Sequence, residues 1–74
     1  MVGSSTAERV RRARRRARLT QVQVAELVGC RQATISAIEC GKVRRPSYDL
    51  IVRLGMALRV KPERLVSFND QEAA

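Results

Sequence analysis

Between Leu19 and Glu39 the chain reads LTQVQVAELVGCRQATISAIE, and no other stretch restricts the fold so tightly. Thr20 stands where its hydroxyl accepts from the backbone N–H of Gln23, while the Gln23 side chain reaches back to the N–H of Thr20. Leu19 and Val24 flank this pair as a hydrophobic staple that sets the angle at which the chain enters a helix. The spacing predicts a helix from about Gln21 to Val28, ended by Gly29 because a residue without Cβ takes a left-handed turn at little cost. Helical spacing resumes in RQATISAIE, with Ile35 and Ile38 inward, and stops at Gly41. Two short helices therefore meet across a turn of about three residues.

The flanking sequence supplies further helices. STAE makes Ser5 an N-cap with Glu8 as its return partner, opening a helix through the arginine-rich RVRRARRRAR. After the basic loop GKVRRP, Ser47 caps a helix through YDLIVRLGMAL whose apolar stripe is Leu50, Ile51, Leu54, Ala57 and Leu58. Pro62 suits the first turn of a last short helix, PERLVSF, with Leu65 and Val66 inward, and the closing NDQEAA is expected to fray. Aromatic residues are 3% of the chain, so the core comes from Val, Leu, Ile and Ala at helical spacing, which predicts an all-α fold. Seventy-four residues hold one domain, spanning 1–74 with a core of about 6–66, and no internal repeat is present.

The segment RVRRARRRAR carries seven arginines in ten positions, yet it is not patterned as a loose basic arm. At about 100° per residue, Ala7, Val10, Ala13 and Ala17 fall within one arc of about 120°, which is an apolar face. Arg14 falls inside that arc, and Glu39 falls inside the inward arc that Ile35 and Ile38 define. An unpaired buried ion is costly, so Arg14 and Glu39 are predicted to form a structural ion pair. The other arginines of this helix read as a solvated face with a shared long-range attraction to polyanions.

A formal charge of +8 gathers polyanions, and nucleic acid is the commonest target of a small basic domain. No run of 18 apolar residues and no apolar leader segment is present, so a cytoplasmic protein without a membrane partner is expected. Two cysteines and no histidine are too few for a structural zinc site, and no metal or other cofactor is expected. Cys30 and Cys40 bracket one helix, which separates them by roughly 15 Å, well beyond the ~7 Å limit for a disulfide. Both are expected to be free thiols: Cys30 an inert core position, Cys40 an outward thiol, either plain or a redox handle. Without a histidine, a glycine-rich phosphate loop or clustered carboxylates, enzymatic function has no support.

Counted from Gln21 as first of a twenty-residue unit, Ala25 is fifth, Gly29 ninth, Ile35 fifteenth and Ile38 eighteenth, with Val24, Val28 and Cys30 in the remaining inward places. Ala25 lies where the two helices approach most closely. With these positions in register, LTQVQVAELVGCRQATISAIECGK and the following PSYDLIVRLGMALRVKPERLV resemble the Cro/CI-type (XRE) family of bacterial and phage repressors over roughly residues 6–66. The resemblance implies a five-helix, lambda-repressor-like DNA-binding domain, often dimeric, whose third helix reads bases. By position it assigns base reading to Gln32, Ala33, Ser36 and Ala37, and phosphate contacts to Gln21, Thr34, Lys42, Arg44 and Arg45. Arg18, near the start of the second helix, is the best further phosphate candidate in the arginine run, and the resemblance implies the same Arg14–Glu39 bridge.

Several positions depart from the family pattern. Arg31 stands where the family prefers Ser as N-cap, placing positive charge at the positive end of the helix dipole. Two roles are open to it: contact with a phosphate or guanine edge, or plain solvation. Ala33 and Ala37 replace larger polar residues, so polar reading rests on Gln32, which can bond adenine in a bidentate pair, and on Arg31. Val22, Leu27 and Met56 occupy places the family leaves polar. A homodimer contact is expected along the fourth helix and RVKPERLVSF, giving a sequence-specific regulator, a repressor in the first instance, on an inverted repeat of double-stranded DNA. The alternatives are an antitoxin or protein-interaction module whose main partner is a protein, and a nonspecific RNA binder.

Overall fold

The structure, a computed structural model, describes residues 5–67. Among them are four α-helices, α1 (Thr6–Arg16), α2 (Gln21–Val28), α3 (Gln32–Glu39) and α4 (Tyr48–Leu58), followed by a single 3₁₀ turn, Pro62–Arg64. Three helices begin at side-chain caps. Glu8 N–H donates to Ser5 Oγ at 3.2 Å, Gln23 N–H to Thr20 Oγ1 at 3.1 Å and Leu50 N–H to Ser47 Oγ at 3.2 Å. In the first two, the Glu8 and Gln23 side chains also accept from the N–H of the cap residue, completing the reciprocal box. Gly29 ends α2 in the left-handed region, φ 85°, where a side chain would be strained.

The core joins one apolar stripe from each helix: Val10 of α1, Val24 and Val28 of α2, Ile35 and Ile38 of α3, and Ile51 and Leu54 of α4, with Leu65 closing the end. Burying each of the larger side chains contributes roughly 1.5–3 kcal/mol, and this holds an eight-residue helix such as α3 that would not persist alone. Thr6, also buried, accepts a hydrogen bond at its Oγ1 from Ser67 N–H at 3.1 Å, which fastens the end of the described chain to the first turn of α1.

Two expectations are corrected. The fifth helix is reduced to one 3₁₀ turn, in which Leu65 N–H donates to Pro62 O at 3.0 Å. The Ser67 N–H that a continuing helix would direct to a backbone carbonyl is taken by Thr6 instead. Ala17, counted on the inward face of the first helix, is its exposed C-cap, because the backbone turns left-handed at Arg18, φ 61°. The expected fraying of NDQEAA, and Phe68 of the last predicted helix, lie outside the described residues.

Gly55, inside α4, is required by a close approach. A Cβ there would stand 2.7 Å from Val60 O, and the Val60 N–H donates to Gly55 O at 2.9 Å as the chain doubles back. No helix among the described residues is long and apolar enough to cross a membrane.

Candidate nucleic-acid interface

α3 turns Ile35, Ile38 and Glu39 inward, and the helical period then leaves Gln32, Ala33 and Ser36 exposed on the opposite face, with Thr34 and Ala37 half-buried at its margins. Arg31 is the N-cap of α3 and its side chain makes no capping hydrogen bond. Beyond the helix, Val43 N–H donates to Ala37 O at 3.1 Å, which folds the basic loop back against α3 and partly covers Ala37. Lys42, Arg44 and Arg45 are exposed on this loop. Arg44 and Arg45 also border a recess with Thr6, Pro46 and Tyr48, so they stand toward the start of α4 and not directly beside Gln32. Arg18 is exposed in the turn that leads into α2.

Behind this surface a hydrogen-bonded chain runs from α1 to the first residue of α3. Arg14 Nε donates to Glu39 Oε2 at 2.6 Å and its Nη2 to Glu39 Oε1 at 3.0 Å, a two-pronged pair whose side chains are 14% and 4% exposed. The third nitrogen, Nη1, donates to Leu19 O at 2.9 Å. One guanidinium therefore holds α1, the entry to α2 and the end of α3 in a single geometry. The bond to Glu39 raises the pKa of Arg14 against the opposing effect of burial, so its charge is secure. Gln21 Nε2 then donates to Glu39 Oε1 at 3.2 Å, and Gln32 Nε2 to Gln21 Oε1 at a long 3.5 Å.

This chain gives Gln21 a second task. One of its two amide N–H groups is committed to Glu39, and its carbonyl orients Gln32. Gln32 keeps its own carbonyl and one N–H, the acceptor and donor that a bidentate bond to adenine uses. Arg11 is a residue that wheel arithmetic missed: its Nη1 donates to Glu39 O at 3.1 Å, gripping the backbone where α3 ends. The available signal was its place just outside the inward arc, next to Arg14.

The Cys30 thiol is not activated. Cys30 is half-buried, and burial pushes its pKa up, with Arg53 opposing in part. Cys40 is exposed and its thiol lies 3.6 Å from Ala37 O. Among the described residues, no group of three or more Cys, Asp or Glu side chains is placed to hold a metal ion.

A capped helix, a left-handed glycine turn and a second helix with an open polar face define a helix-turn-helix protein. The chain belongs to the helix-turn-helix domain family, whose model matches residues 6–68, and it is a regulator of the Cro/CI (XRE) type. Its structure is similar to that of the P22 c2 repressor protein, solved in complex with synthetic operator 9T, with TM-score 0.81 and 25% identity over 88% of this chain and 97% of that one. It is also similar to the restriction-modification controller protein C.AhdI from Aeromonas hydrophila, with TM-score 0.76 and 30% identity over 81% of this chain and 89% of that one. Among curated proteins no sequence match is found.

Proposed function

We propose that the chain is a sequence-specific DNA-binding transcriptional repressor that acts as a homodimer on an inverted repeat, placing one α3 in each major-groove half-site. The observation that carries this reading is the uncovered face of α3, with Gln32 held in position through Gln21 and Glu39. Gln32 reads an adenine edge, Ala33 meets a thymine methyl, and Ser36 and Ala37 set how closely the helix approaches. Arg31 reaches a phosphate or guanine edge, where the DNA's negative charge offsets its placement at the helix N-terminus. Gln21, Thr34, Lys42, Arg44, Arg45 and Arg18 engage phosphates, so log K falls by about 0.9 per neutralised phosphate for each decade of salt.

The second copy is proposed to pack on α4 around Met56, which is 76% exposed. Sedimentation across concentration tests this: a species that remains monomeric at high concentration, with and without DNA, overturns the dimer. Selection of bound sequences from random DNA tests the reading itself. A symmetric motif is expected, and Gln32→Ala is expected to lose about 1–3 kcal/mol of discrimination at one base pair per half-site. Absence of any enriched motif would defeat the proposal.

A further inference from the structure

The two flanks of α1 are both rich in arginine and are used differently. On one, Arg11 and Arg14 reach α3 through Glu39. On the other, Arg9, Arg12 and Arg16 recur at intervals of three and four residues, forming a ridge about 10 Å long at the rise of an α-helix. Arg64, from the 3₁₀ turn, faces this ridge across an open groove floored by Val60 and Leu65. Arg9 Nη1 donates to Arg64 O at 3.2 Å, which ties the two walls together.

The fold uses part of this grouping, since Arg9 grips the 3₁₀ turn and Arg16 lies in the last turn of α1, where a cation is favourable. Neither task requires arginines to line both walls of one groove. Like charges three and four residues apart weaken a helix by a few tenths of a kcal/mol per pair. Neither the Arg14–Glu39 nor the Arg53–Asp49 ion pair involves Arg12, Arg16 or Arg64. Glu8, one turn before Arg12, accepts from Ser5 and also feels the charge of Arg12, so it offsets that arginine only in part and lies outside the groove. Every cation lining the groove is arginine, whose planar fork matches the oxygens of a phosphate. On the groove floor Leu65 is only 1% exposed and Val60 is half-buried, so the accessible lining is more polar than apolar.

We propose that this groove is a second binding site for the phosphodiester backbone of duplex DNA, separate from the reading face of α3. α1 itself stands between the two, a helix about 10 Å across, so a duplex seated on α3 does not also fill the groove. A single domain then holds its operator in front and a second duplex segment behind. The proposal uses the assignment of α3 as reading helix only to say which face is already occupied.

The test compares variants of the full chain, each checked for folding by a thermal melt. Arg12→Gln/Arg16→Gln alters the groove, and Arg15→Gln/Lys61→Gln removes the same charge at exposed positions outside it. Gln32→Ala/Lys42→Ala/Arg44→Ala disables the reading face. Each is titrated against a fluorescent random-sequence duplex. The groove variant is expected to bind about tenfold more weakly at low salt, with a salt slope smaller by about 2 and an unchanged base preference. The control is expected to lose no more than about twofold, because charges outside the two sites act only at long range. The reading-face variant is expected to retain salt-dependent binding. Wild-type protein mixed with operator and a second labelled duplex is expected to form a ternary complex that the groove variant does not form.

Equal losses in the groove and control variants, or no ternary complex, would overturn the proposal. Tighter binding of poly-glutamate than of duplex would also overturn it, in favour of an acidic protein partner. If instead no base preference exists while groove binding persists, the reading-helix assignment fails and the groove stands.

Discussion

α2 and α3 have the same length, eight residues each, and share one turn, yet they begin in opposite ways. α2 starts at Thr20 with a complete capping box, so its first turn is stabilised by chemistry within four residues of sequence. α3 starts at Arg31 without a side-chain cap, with a positive charge at its positive end. Contacts distant in sequence compensate for that weak beginning: Ile35 and Ile38 are completely buried, and the far end is clamped by Arg11 and Arg14 through Glu39. α3 is thus anchored at its last turn and begins without a side-chain cap, and the proposed function places that first turn against DNA.

The strongest way to break this contrast is Glu39→Ala. Removing one partner leaves Arg14 buried and unpaired, and unfolding in urea is expected to show a loss of about 3–5 kcal/mol. A loss near that of an ordinary surface substitution would mean that hydrophobic packing alone holds α3. Next come the two caps, which should respond with opposite sign. Thr20→Ala is expected to cost about 1 kcal/mol, whereas Arg31→Ser is expected to gain about 0.5–1 kcal/mol while weakening DNA binding. Equal effects at both positions would erase the distinction between a locally and a remotely stabilised helix.

The smallest effect separates the two capping boxes, since Glu8 titrates and Gln23 does not. Hydrogen bonds from the backbone N–H of Ser5 first, then from its hydroxyl, hold the Glu8 pKa below its ordinary 4.5. The folded pKa lies below the unfolded one, so the contribution of Glu8 is complete above the usual carboxylate range and fades as the pH falls through the lowered value. Amide exchange is expected to speed up at the start of α1 on acidification, after correction for intrinsic rates, and not at the start of α2. Glu8→Gln is expected to remove that pH dependence; its persistence would assign the effect to another group.

Much of the scaffold was legible in the residues. Ser5, Thr20 and Ser47 announced three helix starts, Gly29 announced the turn, and wheel arithmetic placed Arg14 and Glu39 on facing inward arcs. Other features left no local trace. Arg18 and Arg59 adopt left-handed backbone although neither is glycine or asparagine, the types that usually mark such turns. Gly55 sits inside a helix with no local turn to require it, and the requirement comes from Val60 O, 2.7 Å from where a Cβ would stand. Thr6 and Ser67, 61 residues apart, gave no sign that one would satisfy the other and shorten the last predicted helix to a single turn.

Caps, turns and apolar stripes follow from interactions between residues a few positions apart, and the sequence by itself determined them, together with the pairing of two charges that had no solvent to reach. Which atoms that pair would enlist was decided only by tertiary structure. Leu19 O, Gln21, Gln32 and Arg11 join Arg14 and Glu39 because three elements converge at one point. The same holds for the groove behind α1, which needs Arg64 brought from the far end of the chain to face Arg12 and Arg16. Spacing along a chain states which side chains share a face of one helix, and only packing states what that face meets.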